Sequence, residues 1–486
     1  MPASGRSCQA GSNVFIRRML FHGAPFLWLL LGTVVGYWWV LRGQRARNLL
    51  LLAASVVFYA NWNPWLVVLV VATAAYDYRM ARAIEDAPDG AARRARLIGA
   101  VAVPLGLLAY FKYTNFLAAL AWPLLGWLGL SERPPVFHIV LPLGISFYTF
   151  ETIAYVVDVY RRRISAERRL VDYALYLLFF PHLIAGPIVR PDQFLPQVRQ
   201  PRRFDWSRVE LGMRLFVFGM VKKAVVADQL ALIVDPIFAR PDAYATSAIW
   251  TAVVCYAVQI YCDFSGYSDM AIGSAHLLGI TLPTNFRMPY FAANPAEFWR
   301  RWHITLSTWL RDYLYVPLGG NRKGPLRTYV NLMLTMLLGG LWHGAAWTFV
   351  IWGGYHGMLL ALHRAIPWPA WTGRAFLAPI RVTCTFLLVC VGWVFFRAPS
   401  LESAGTILAR MFSAAAGITI APSVSALVSV ILGAVLVAHL VGTFADVPRV
   451  VRRIPAPVLG TAIACGFLLA GLLAPDTGGA FIYFQF

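Results

Sequence analysis

APFLWLLLGTVVGYWWVL, residues 24–41, carries no charged side chain over eighteen positions. As a helix it comes close to the roughly 20 residues that cross the hydrocarbon layer of a bilayer. SVSALVSVILGAVLVAHLV, residues 423–441, has the same character near the other end of the chain. Inside lipid, backbone polar groups must be satisfied within a helix or a closed barrel, and no segment alternates as barrel strands do. The fold class is read as all-α: a polytopic integral membrane protein with about eleven or more membrane helices plus re-entrant or interfacial ones.

Composition agrees with this reading. Hydrophobic residues make up 59% of the chain and charged residues 13%, against about 25% in soluble domains, which excludes a solvated globule. The net charge of +20 raises the possibility of nucleic acid, but its distribution argues against it. Basic residues fall in short clusters between apolar runs: Arg42, Arg45 and Arg47; Arg93, Arg94 and Arg96; Arg161 to Arg163; Arg199, Arg202 and Arg203; Lys222 with Lys223. Such clusters usually mark cytoplasmic loops, and contact with membrane lipids is the next reading. The six cysteines are dispersed, without a C-x-x-C pair or a histidine at ligand spacing, so no metal site is expected.

Residues 1–18 lack an apolar core and read as a non-native or disordered extension, with translation able to start at Met19. Residues 19–486 read as one membrane domain. No repeat suggests the paired halves of a secondary transporter, which weakens the main competing function.

The chemistry concentrates between residues 285 and 357. In NFRMPYFAANPAEFWRRWHITLSTWLRDYLYVPLGGNRKG, residues 285–324, Trp299, His303, Leu306 and Leu310 share one stripe at helical spacing. The segment is expected to be an amphipathic helix along or dipping into the membrane, starting at Pro295 and ending near Pro317 and Gly319–Gly320, with His303 facing inward. A second histidine, His343, lies in LGGLWHGAAWTFVIWGGYHG, residues 338–357, among glycines and tryptophans.

Each feature has two readings. An amphipathic helix rich in Arg and Trp is commonly a surface anchor. A histidine beside small residues can simply bond a neighbouring carbonyl, but ionisable groups within membrane segments are rare and tend to be functional. A neutral imidazole there keeps a lone pair for a hydroxyl or thiol proton, as a general base requires. Gly339, Gly340 and Gly344 could line a channel or pack helices tightly. Asp263 and Asp269, in QIYCDFSGYSDMAIG, could orient a histidine or pair with a basic residue. Trp342 could shape a tunnel or fill core. Arg300, with Arg301 and Arg311, could attract donor phosphates or lipid headgroups.

These two segments resemble the membrane-bound O-acyltransferase family, specifically its bacterial alginate O-acetyltransferase branch. The likeness extends through LPLGISFYTFETIAYVVDVYR (141–161), FFPHLIAGPIVRPDQFLPQ (179–197), residues 259–273 and the C-terminal FIYFQF, covering the chain from about Met19 onward. The resemblance implies a ring of helices around a thinned centre with funnels meeting at the catalytic histidine, His343, and His303 as the second characteristic histidine. It implies an O-acetyltransferase of the bacterial inner membrane, using acetyl-CoA as donor substrate with no permanently bound cofactor. A periplasmic SGNH-type acetyltransferase and the polysaccharide synthesis and export machinery are the implied partners, with no role for nucleic acid. Two routes stay open, direct hydroxyl attack or an acetyl-histidine relay. Alginate is the leading acceptor; cellulose, peptidoglycan and D-alanylated teichoic acid are alternatives.

Overall fold

In the computed structural model, residues 20–126, 136–184, 186–451 and 453–474 are described. The expected extension over 1–18, the internal start at Met19, Cys8 and FIYFQF lie outside them. Among the described residues the chain is helical, and the isolated bridge between Tyr244 and Ile418 builds no strand. Five helices are long and apolar enough to cross a membrane: Ala91–Pro123, Thr246–Leu277, Ala375–Arg397, Pro422–Phe444 and Ala456–Leu473. Two of them, Pro422–Phe444 and Ala456–Leu473, expose nearly all their side chains, including Val430 at 68% and Leu472 at 83%. Hydrocarbon is the solvent in which such apolar surfaces are stable. The helix Ala91–Pro123 continues through Lys112 and Tyr113, which sit in a π-helical turn over Ala109–Tyr113.

The chain forms two compact units, one comprising the described residues up to Phe216 with Met270–Pro283, the other Val217–Asp269 with Thr284 onward. The first is built around an aromatic cluster in which Phe26 contacts Phe21, Phe58, Phe180 and Phe216 at ring distances of 4.5–6.3 Å. The second carries every candidate site residue. The elements that bear on the site are Thr246–Leu277 (α1), of which the part to Asp269 belongs here, then Pro295–Arg301 (α2), Ile304–Leu310 (α3), Gly324–His343 (α4), Trp347–Ala365 (α5) and Ala378–Arg397 (α6).

Glycine sets the spacing of the helices that matter. In the α4–α5 hairpin, a Cβ on Gly340 would lie 2.2 Å from the Phe349 carbonyl oxygen and 3.1 Å from the Gly353 Cα. The two backbones therefore touch, and the packing reading of Gly340 is the one the structure adopts. Gly340→Ala must push the hairpin apart. A loss of about 1–3 kcal/mol is expected, read as a lower Tm of the detergent-solubilised protein; an unchanged Tm would mean that the crossing is looser than described.

Lys222 and Lys223 do not mark a loop. They occupy a π-helical stretch, Val221–Ala227, that continues Trp206–Met220, and Lys223 is 1% exposed. Gly266 of α1 has no side chain to keep Gly219 away, since a Cβ there would meet the Gly219 carbonyl oxygen at 2.7 Å. The close approach brings the lysines to acidic partners on α1. Lys223 Nζ lies 2.6 Å from Asp263 Oδ1 and 2.7 Å from Asp228 Oδ1, and Lys222 pairs with Asp269 and reaches Ser265 Oγ at 3.1 Å. Neutralised in this way, the cluster tolerates an interior position that unpaired lysines would not.

Candidate active site

The segment expected to form one amphipathic helix is broken at its centre. α2 begins where Asn294 accepts a hydrogen bond from the Glu297 N–H (2.8 Å), with Pro295 at its first position, and it ends at Arg301. Trp302 is extended, and His303 takes a left-handed conformation, φ 41°, before α3 resumes at Ile304. A non-glycine residue there costs about 1–3 kcal/mol, so the surroundings must impose it. They do so through Asn285 and its neighbours. The Asn285 carbonyl accepts from Ile304 N–H (2.9 Å), and the Arg301 carbonyl accepts from Arg287 N–H (2.9 Å), replacing bonds an unbroken helix would make.

Asn285 also fixes the ring of His303. Its Oδ1 accepts from the Thr305 hydroxyl (2.9 Å) and the Thr305 N–H (3.3 Å), and lies 3.0 Å from His303 Nδ1. An oxygen facing two certain donors is an acceptor, so Nδ1 carries the hydrogen and the lone pair resides on Nε2. His303 is wholly buried, its ring 4.7 Å from Phe264, and burial pushes its pKa down to about 3. It is a neutral, oriented imidazole at any physiological pH.

His343 is the last residue of α4, 4% exposed, with ring centres of Trp342, Trp352 and Phe396 at 4.9, 5.0 and 5.2 Å. It lines a cavity of about 240 Å³ whose walls include Leu306, Leu310, Met336, Gly339 and Trp352, with Ser307, Thr335, Tyr315 and Arg311 as polar points. Gly339 thus belongs to the cavity wall and Gly340 to the helix contact. Trp342 has its ring 6.3 Å from that of His303 and 4.9 Å from that of His343, so it connects the two imidazoles. Asp263 and Asp269 are held in the lysine pairs described above. Arg300 is exposed and lines a second cleft.

His356 was passed over in the sequence. It is fully buried on α5, its ring 5.0 Å from Trp352 and 5.2 Å from Trp299, both of which line the cavity. Gly392 of α6 makes room for it, because a Cβ there would lie 2.7 Å from His356 Nε2. The signal was present: GGYH at 353–356 sets a histidine just after paired glycines, as GGLWH does at 339–343.

Because Asn285 holds the ring of His303, the two residues should act as a unit. His303→Ala and Asn285→Ala are each expected to lower turnover at least tenfold, and the double variant little further. Initial rates of the four proteins check this; additive losses would separate Asn285 from the histidine.

The sequence profile of the membrane-bound O-acyltransferase family matches residues 160–400. The chain is 45% identical over 400 residues to the "probable alginate O-acetylase AlgI" of Pseudomonas putida, covering 81% of this chain and 80% of that protein. It is 46% identical over 397 residues to the protein of the same name in Azotobacter vinelandii (81% and 78%). It is 40% identical over 395 residues to the "peptidoglycan O-acetyltransferase" of Helicobacter pylori (75% and 73%).

Proposed function

This chain belongs to the membrane-bound O-acyltransferase family, and from that premise we propose that it takes acetyl from acetyl-CoA on the cytoplasmic side of the bacterial inner membrane for O-acetylation of an exopolysaccharide, alginate foremost. That it is an acyltransferase of a membrane follows from the family; donor, acceptor and direction of transfer are the proposal. The polysaccharide is suggested by the alginate relatives, with peptidoglycan, the acceptor in the name of the Helicobacter relative, as the alternative. The count of about eleven or more crossings belongs to the same reading, since it needs shorter helices to cross beside the five long ones.

The observation that carries the reading is His343, buried on the wall of a half-open, mainly apolar cavity. In direct transfer, His343 takes the proton of an acceptor hydroxyl as its oxygen attacks the thioester carbonyl. A C–O bond forms, the C–S bond breaks, and the proton passes to the departing thiolate, leaving an acetyl ester and a free thiol. Carbonyl dipoles at the C-terminal end of α4 favour the positive charge that develops on the ring. Apolar walls keep out water that would otherwise hydrolyse the thioester. The immediate acceptor is the serine of a periplasmic SGNH-type partner, which passes acetyl to the polymer.

Purified protein in proteoliposomes, given radiolabelled acetyl-CoA inside and the partner with polymer outside, should move label to the polymer and release free thiol. A transporter of the finished glycan, or a structural subunit of an export complex, leaves the thioester intact.

A further inference from the structure

Two tryptophans of the cavity wall, Trp299 on α2 and Trp352 on α5, bury their indole nitrogens without a hydrogen-bond partner among the described residues. An indole N–H only donates, so an acceptor alone can satisfy it, and a buried donor left unmade costs free energy. The rings beside them offer π faces, which are weak acceptors. Trp352 meets His343 at 5.0 Å and 87°, Trp299 meets Trp352 at 5.7 Å and 74°, and His356 lies 5.0 Å from Trp352 and 5.2 Å from Trp299. The imidazole of His356 does not serve them. Its Nε2 is itself buried without a partner among the described residues, it faces Gly392 of α6, and His356 does not line the cavity. Most other polar groups of the lining are engaged. Ser307 Oγ donates to the Trp302 carbonyl (3.2 Å), Thr335 Oγ1 donates to the Asn331 carbonyl (2.7 Å), and Arg311 is held by Asp312 at 2.7 and 3.2 Å.

We propose that the indole N–H groups of Trp352, beside His343, and of Trp299, beside Trp352, form the oxyanion site of the transfer reaction; the inference rests on the acetyl-transfer reading above. When the acceptor oxygen attacks the thioester carbon, the C=O π pair moves onto the carbonyl oxygen, which becomes an anion. The pair returns as the C–S bond breaks, sulfur leaves with the electrons of that bond, and the proton held on His343 neutralises it. Charge on the carbonyl oxygen is stabilised by donors already in place, and within an apolar wall their effect is little diluted by solvent. Indole suits such a wall. It adds one N–H to a hydrocarbon surface, and near neutral pH it neither takes up nor gives away a proton, so it does not compete with the base. Donors that are idle in the resting protein and satisfied when the oxygen becomes charged bind the transition state better than the substrate.

Site-specific replacement of Trp352, and separately of Trp299, by benzothienylalanine exchanges the N–H for sulfur and keeps the shape of the ring. Both isosteres, Tyr315→Phe and the parent are compared as full chains in proteoliposomes. The Trp352 isostere should lower kcat for acetyl transfer about ten- to a hundredfold, and the Trp299 isostere at least about threefold, with KM for acetyl-CoA and Tm unchanged in both. A residue that only packs loses nothing on this exchange. Parent kcat in both isosteres overturns the assignment. So does a larger loss in Tyr315→Phe, which moves the oxyanion to the remaining hydroxyl of the lining. Equilibrium binding gives a readout that needs no turnover. S-carboxymethyl-CoA carries an anionic carboxylate next to the position of the acyl carbon, and S-ethyl-CoA carries none. The parent should prefer the carboxylate by at least about tenfold, and the Trp352 isostere should lose most of that preference. A preference that both isosteres keep in full overturns the site. A parent that moves no acetyl but shows the isostere-sensitive preference refutes the acetyl-transfer reading and leaves the anion-binding pair of N–H groups standing.

Discussion

His343→Asn is expected to lower acetyl transfer by about a hundred- to ten-thousandfold while leaving the protein folded. The carboxamide keeps a polar group at the end of α4 but cannot take a proton near neutral pH, so neither direct attack nor a covalent relay through the ring can proceed. The ring also packs between Trp342, Trp352 and Phe396, and its loss opens space next to an existing cavity. His343→Gln, closer in volume, therefore accompanies it. Both variants should elute from size-exclusion chromatography as the parent does. Turnover at the parent rate in either one would return His343 to the packing role that its neighbours also suit.

The sequence disclosed what depends on local composition. Runs of apolar residues pointed to the helical class, and Pro295 marked the start of α2. The glycines around His343 pointed to its unusual place because an ionisable ring in such company is rare in any fold. What it concealed depends on contacts between distant residues. The stripe of Trp299, His303, Leu306 and Leu310 has the same spacing whether or not the helix is interrupted between them. The interruption is dictated by Asn285, eighteen positions before His303, through bonds that no periodicity records. The second cleft, which Arg300 lines, is similar. Arg300, Arg301 and Arg311 are visible as a cluster, but Arg287 joins them only because the chain around it pairs with the broken end of α2.

The lysine pair shows this limit most sharply, and it carries the second large effect. Two adjacent lysines flanking an apolar run have the form of a loop signal, and the carboxylates that neutralise them are remote: Asp263 lies forty positions beyond Lys223. Replacing Lys223 by Leu leaves Asp263 and Asp228 facing each other in a site from which water is excluded, with side chains 1% and 5% exposed. Removing one member of a buried ionic cluster typically costs about 3–5 kcal/mol, because the remaining charges lose their compensation and keep their desolvation penalty. Lys223→Leu is expected to show a loss of that size, seen as a collapse of the folded fraction in detergent and a large drop in Tm. The combination Lys223→Leu, Asp263→Asn and Asp228→Asn removes both orphaned charges and should recover much of the deficit, although each substitution alone is harmful. Rescue of that kind is the signature of an ionic clamp between α1 and the preceding helix. A Lys223→Leu protein as stable as the parent, or a triple variant worse than the single one, would show that the cluster does not hold these helices together through its charge.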